Sequence, residues 1–151
     1  MTSRYRLMAY LAIVCLAIMA SLYLIMDYYA SPERQAERAY RKRAGEEQAL
    51  FEARFDSLYH SVLLPTVSRY GVFTKTAFDG DYREWTLYVS SNDWYRRDMS
   101  SKRDLVATLW TCFRSVREQA GGDPDEASLI LRDSDGSKVA ERSPERMGIL
   151  K

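Results

Sequence analysis

His60 is the only histidine in the chain, so general acid–base chemistry near neutrality would have to begin there. It lies beside Tyr59 near the end of a helical segment, and no G-x-S-x-G turn offers a nucleophile for it to activate. It reads as a surface histidine. Zinc is served no better: Cys15 falls inside an apolar run and Cys112 stands alone, so one imidazole and one thiol leave a tetrahedral set incomplete, and C-x-x-C and C-x-x-C-H spacings are absent. Cys112, on an apolar stripe, reads as a small hydrophobe.

The acids fall in turn-like groups. Asp133-Ser134-Asp135-Gly136 invites a calcium reading, but with Asp133, Asp135 and Gly136 at loop positions 3, 5 and 6, positions 1 and 12 become Leu131 and Arg142, where carboxylates are required. A solvated hairpin turn is expected instead. Asp79/Asp81 and Asp123/Asp125 flank Gly or Pro and read the same way, and no Gly-rich phosphate loop occurs. No catalytic, cofactor-binding or metal residue is therefore assigned, and the chain is expected not to be an enzyme. A small membrane-anchored hydrolase using the carboxylates is the least favoured alternative.

What remains is contact. Trp94, Tyr95, Arg96 and Arg97 follow a strand and combine the residue types enriched at protein–protein hot spots, although Trp94 could equally cover a small core. Ala17 and Ser21 form a small-xxx-small pair that would admit a second helix at close range. Arg34 to Arg43 is a basic stretch with interspersed Glu, read as a solvated helix face.

These residues need elements to hold them. From Leu7 to Met26 the chain carries no charge, and at ~1.5 Å per residue a helix of that length spans the ~30 Å hydrocarbon core of a bilayer. The stretch is expected to be a transmembrane helix. Tyr5 and Tyr10 at one end and Tyr28 and Tyr29 at the other suit the headgroup level. A cleaved signal peptide fits less well, because the apolar stretch is long and Tyr28 stands where a small residue is wanted before Ala30. Arg4 and Arg6 precede the span and no Lys or Arg follows it before Arg34, which favours an inside N-terminus and an extracytoplasmic body. The cluster Arg34 to Arg43, counted over a wider window, argues the reverse.

Ser31-Pro32-Glu33 reads as a helix start, so a stalk helix is expected over 31–64, stopped by Pro65. Its later half carries Phe51, Phe55, Leu58 and Val62 at helical spacing. Strand-like runs follow from Val72 to Phe78 and from Tyr82 to Ser90 around a turn in which Gly80 could take positive φ, with Trp85, Leu87 and Val89 on the core face. A short helical turn at Asn92 to Arg97 is allowed by the pattern. Ser101 with Asp104 suggests a capping box opening a helix whose stripe is Leu105, Leu109, Cys112 and Val116, flanked by Phe113, until Gly121-Gly122. A last hairpin joins Ser128–Leu131 to Ser137–Ala140 across Asp135-Gly136.

The expected architecture is α+β: a polar tail over 1–6, a transmembrane helix over 7–26, a stalk helix over 31–64, and a small ββαββ head within 67–151. Across 151 residues, 22 Lys+Arg nearly cancel 21 Asp+Glu, which argues against a nucleic-acid partner. With 46% hydrophobic residues the composition is globular. A permanent anchor and a head of marginal size imply contact: a non-catalytic single-pass accessory subunit of a membrane protein complex, in a plasma or inner membrane, whose partners are other subunits and the lipid bilayer. The alternative is a tethered assembly factor or binding module that meets such a complex transiently.

Overall fold

A computed structural model of the chain describes residues 2–150; the side chains of residues 2–7, 9, 12 and 30 lie outside that description, and with them Tyr5. The described chain is mixed α+β and divides into two compact units, Met1–Glu47 and Gln48–Lys151.

The first unit is helical. Helix α1 covers Thr2–Ala30 and helix α2 begins at Pro32 and runs to Leu58, so the chain breaks where Ser31-Pro32 requires it to. The Ser31 carbonyl accepts the N–H groups of Arg34 and Gln35, each at 3.1 Å, which opens the new helix. Two cation–π contacts lie across the break: the Arg34 guanidinium sits 3.2 Å from the Tyr28 ring centroid and Arg38 sits 4.8 Å from that of Tyr29.

The helical path does not stop at Pro65, as expected from the sequence. A π turn, Tyr59–Leu63, follows α2, and a further helix α3, Leu64–Tyr70, begins with Pro65 in its first turn. The helical path is continuous into it: Leu63 and Leu64 are right-handed helical and the Leu64 N–H reaches back to the Tyr59 carbonyl, so the π turn carries the chain past a residue with no N–H to donate. The stop is Gly71, left-handed at φ 65.

Five strands form one sheet in the order β1-β2-β3-β4-β5, with β1 Phe73–Phe78, β2 Glu84–Val89, β3 Ser128–Arg132, β4 Lys138–Arg142 and β5 Met147–Ile149. Neighbours are antiparallel except β2 and β3, which run parallel in register Glu84↔Ser128 to Tyr88↔Arg132 and are joined through α4, Ser91–Arg96, and α5, Met99–Ala120. The expected ββαββ head thus gains β5, whose three residues, Gly148 among them, are too few to show alternation. The compact unit that contains the sheet begins at Gln48 and takes in the end of α2, with Phe55 in its core and Phe51 packed against it.

In β2, Trp85, Leu87 and Val89 are fully buried on one face, as their alternation requires. Leu129, Leu131 and Val139 continue that face, and α5 covers it with Leu105, Leu109, Phe113 and Val116. Helix α5 opens earlier than expected. Its N-cap is Asp98, extended at ψ 161, whose Oδ1 accepts the Ser101 N–H at 2.9 Å and whose Oδ2 accepts the Ser101 hydroxyl at 2.6 Å. A carboxylate at the positive helix pole outcompetes the proposed Ser101/Asp104 box. The helix ends at Gly121, left-handed at φ 101.

The β1–β2 turn differs too, since Tyr82, not Gly80, takes positive φ, at 54°. Tertiary contacts hold it there: the Arg117 guanidinium donates to the carbonyls of Asp81 and Tyr82, and the Tyr82 ring lies 4.7 Å from that of Phe55. Arg117 is itself buried at 3% exposure; it also donates to the Asp123 carbonyl and pairs with Glu126 at 3.4 Å. Burial pulls its pKa down and Glu126 opposes that pull.

Candidate functional site

Three surfaces carry the residues singled out by sequence. The first is the corner between α4 and the β3–β4 turn. Ser90, extended at ψ 122, turns the chain from β2 into α4, and that turn sends Trp94 inward to 1% exposure. Trp94 is therefore core and not a contact residue, while Tyr95 and Arg96 are exposed and Arg97 is half-buried. The Lys102 ammonium lies 5.3 Å from the Trp94 ring and 5.9 Å from the Tyr95 ring. Among the described residues no carboxylate comes within ion-pairing distance of it.

The Tyr95 hydroxyl donates to Asp133 Oδ2 at 3.3 Å; loss of hydration first, then the Asp133 charge, raises the phenol above its ordinary pKa. Asp133 itself, expected in water, is 5% exposed, and its Oδ1 accepts the N–H groups of Asp135 at 3.1 Å and Ser137 at 2.9 Å. Its lone pairs are occupied by the turn it closes, with Gly136 left-handed at φ 84 as its sequence suggests.

The second surface is α1. Every described side chain from Met8 to Tyr29 is exposed, including Tyr10 at 74% and Tyr28 and Tyr29 at 53% each. Ala17 and Ser21 are exposed together, and Ser21 Oγ donates to the Ala17 carbonyl at 2.8 Å, so the hydroxyl is satisfied within its own helix. Among the described residues no single helix is long and apolar enough to cross a membrane; Ile13–Tyr29 meets that measure only together with the helix that follows, bent from it by 51°.

The third lies where the π turn meets the sheet. Phe55, Asp56, Tyr59, Thr76, Phe78 and Tyr82 line a pocket of about 230 Å³. His60 lies beside it, its Nε2 3.6 Å from Asp56 Oδ1 and its ring 5.0 Å from that of Tyr59. Both members of this pair are well exposed, so Asp56 orients the imidazole only weakly. Sequence showed Phe55 and Tyr59 on one helical segment but gave no sign of Phe78 and Tyr82 joining them, because that depends on the left-handed Tyr82 and on the π turn.

On the far side of α5, Cys112 is half-buried rather than buried, with Thr66 Oγ1 3.9 Å from its sulfur. It helps line an open groove of about 520 Å³ with Val62, Ala107, Thr108, Thr111 and Ser115. Among the described residues no group of three or more His, Cys, Asp or Glu side chains is placed to hold a metal ion. No family model, curated protein or solved structure matches this chain.

Proposed function

We propose that the chain is a single-pass, membrane-tethered accessory subunit, with α1 in the lipid and the second unit docked on a partner's extramembrane surface. The observation that supports this most is the exposure of every described side chain of α1 from Met8 to Met26, a stretch that is apolar and without charge. A helix with such an apolar surface is stable in hydrocarbon and costly in water. The tyrosines at its ends suit the headgroup layer, and Arg34 and Arg38, stacked on Tyr28 and Tyr29, place charge where the apolar stretch ends. Tyr95 and Arg96 supply the exposed aromatic and guanidinium groups for the docked face.

The head lies on the extracytoplasmic side in this reading, because Arg4 and Arg6 flank the apolar stretch on its N-terminal side and no Lys or Arg follows it before Arg34. Carbonate extraction of vesicles tests the anchor: the intact chain stays with the lipid, and its release into the wash overturns the reading. Mild-detergent purification with mass spectrometry tests the partnership, which predicts co-purifying membrane proteins in fixed ratio. A monodisperse monomer alone would count decisively against it. Protease added outside right-side-out vesicles should cut the second unit and spare α1.

A further inference from the structure

The pocket beside the π turn is built from four rings and a single acid. Phe55, 1% exposed, is its deepest member; Tyr59, Phe78 and Tyr82 are half-buried, and Asp56 and Thr76 are the remaining lining residues. Phe55 and Tyr59 each meet Phe78 edge to face at 88°, with centroids 5.2 and 5.5 Å apart, and the Tyr82 ring tilts against Phe55 and Phe78 at 4.7 and 5.8 Å. Thr76 Oγ1 accepts the Trp85 indole N–H at 2.7 Å, which fixes the strand wall.

Ring faces present negative quadrupole density, and the formal charge that lines this cavity is the Asp56 carboxylate. Asp79 and Asp81 lie in the turn between Phe78 and Tyr82, where Arg83 pairs with Asp81 at 4.0 Å and with Glu126 at 3.3 Å, and the Arg117 charge near Tyr82 is met by Glu126 and by backbone carbonyls. An anion would meet repulsion here. A primary ammonium or a guanidinium could give part of its hydrogen bonding to the Asp56 carboxylate, but Thr76 Oγ1 already accepts the Trp85 indole and the ring faces replace none of the rest. A quaternary ammonium has no such bonds to lose, spreads its charge over methyl groups, and suits a space of about 230 Å³.

We infer that this pocket binds a quaternary ammonium group of the choline type, its methyls against Tyr59, Phe78 and Tyr82 and its charge balanced by Asp56. The group can come from a soluble choline compound or from a phosphatidylcholine headgroup. The full chain in a maltoside detergent, titrated with choline and with its uncharged isostere 3,3-dimethylbutan-1-ol, tests the site by saturation-transfer NMR on the ligand methyls. Choline should bind about tenfold or more tighter than the isostere. Tyr59→Leu should weaken choline about tenfold, and Asp56→Asn, at an exposed position that leaves folding untouched, about three- to fivefold.

Equal binding of choline and isostere, no binding of choline, or choline affinity unmoved by Asp56→Asn overturns the inference. This titration does not depend on α1 crossing a bilayer, so it can succeed where the anchor fails and the reverse. In nanodiscs, a lower apparent choline affinity in phosphatidylcholine than in phosphatidylglycerol supports the site with the lipid headgroup as its ligand. Equal affinity in the two supports it with a soluble ligand.

Discussion

A carboxylate at 5% exposure that accepts two backbone N–H groups and a phenol cannot be removed without leaving those donors short, which places Asp133 among the residues that hold the β3–β4 turn. Asp133→Ala should destabilise the second unit by ~1–3 kcal/mol in urea titration. Gly71 tests backbone alone: a methyl there meets nothing within 4 Å, yet φ is 65, so Gly71→Ala should cost about 1 kcal/mol by the same measurement. Asp98 gives the acid dependence. Hydrogen bonds from Ser101 hold its pKa below the ordinary 3.8, so its contribution is present above that pH and is lost as pH falls through the lower, folded value. Stability measured from pH 5 downward should show Asp98→Ala weaker than wild type at pH 5, with the gap closing in acid.

At the scale of elements, Phe55 ties the end of α2 to the sheet through ring contacts with Phe78, Tyr82 and Phe113, at 5.2, 4.7 and 6.2 Å. Phe55→Ala should cost ~3–5 kcal/mol and broaden the signals of the β1–β2 turn. The spacing of Phe51, Phe55, Leu58 and Val62 made this face legible in advance, as alternation did for β2 and the helical stripe did for α5. What escaped had no local signature. The π turn adds one residue to a helical circuit without any change in residue type, and β5 is shorter than one period of alternation. Asp98 lost to Ser101 on spacing alone, although a carboxylate is as good a cap as a hydroxyl. Trp94 was ambiguous because a Trp after a strand serves a core or a partner equally well until the direction of α4 is known.

For the molecule as a whole, the chain divides into a helical first unit and a sheet-bearing second one, and in the proposed function the first holds the chain in lipid while the second meets a partner. A charge placed midway along α1 tests the first of these. Leu16→Arg should raise the cost of insertion by ~2.5–3.5 kcal/mol and shift the chain toward the carbonate wash, while the second unit keeps its circular dichroism and melting temperature. The pocket at the π turn was not legible, because it needs two separated stretches of chain, 55–59 and 76–82, and a left-handed tyrosine in the second of them.

The parallel pairing of β2 with β3 also sets the order in which this protein can be made. Each hairpin closes among near neighbours in sequence, but Glu84 must wait for Ser128, and so for all of α4 and α5, before the middle of the sheet can join. On the ribosome, the edge of β2 that takes β3 therefore stays open until residue 132 has emerged. The hazard of mispairing is concentrated in those moments of synthesis, and the finished protein, with that flank sealed at its centre, carries little of it.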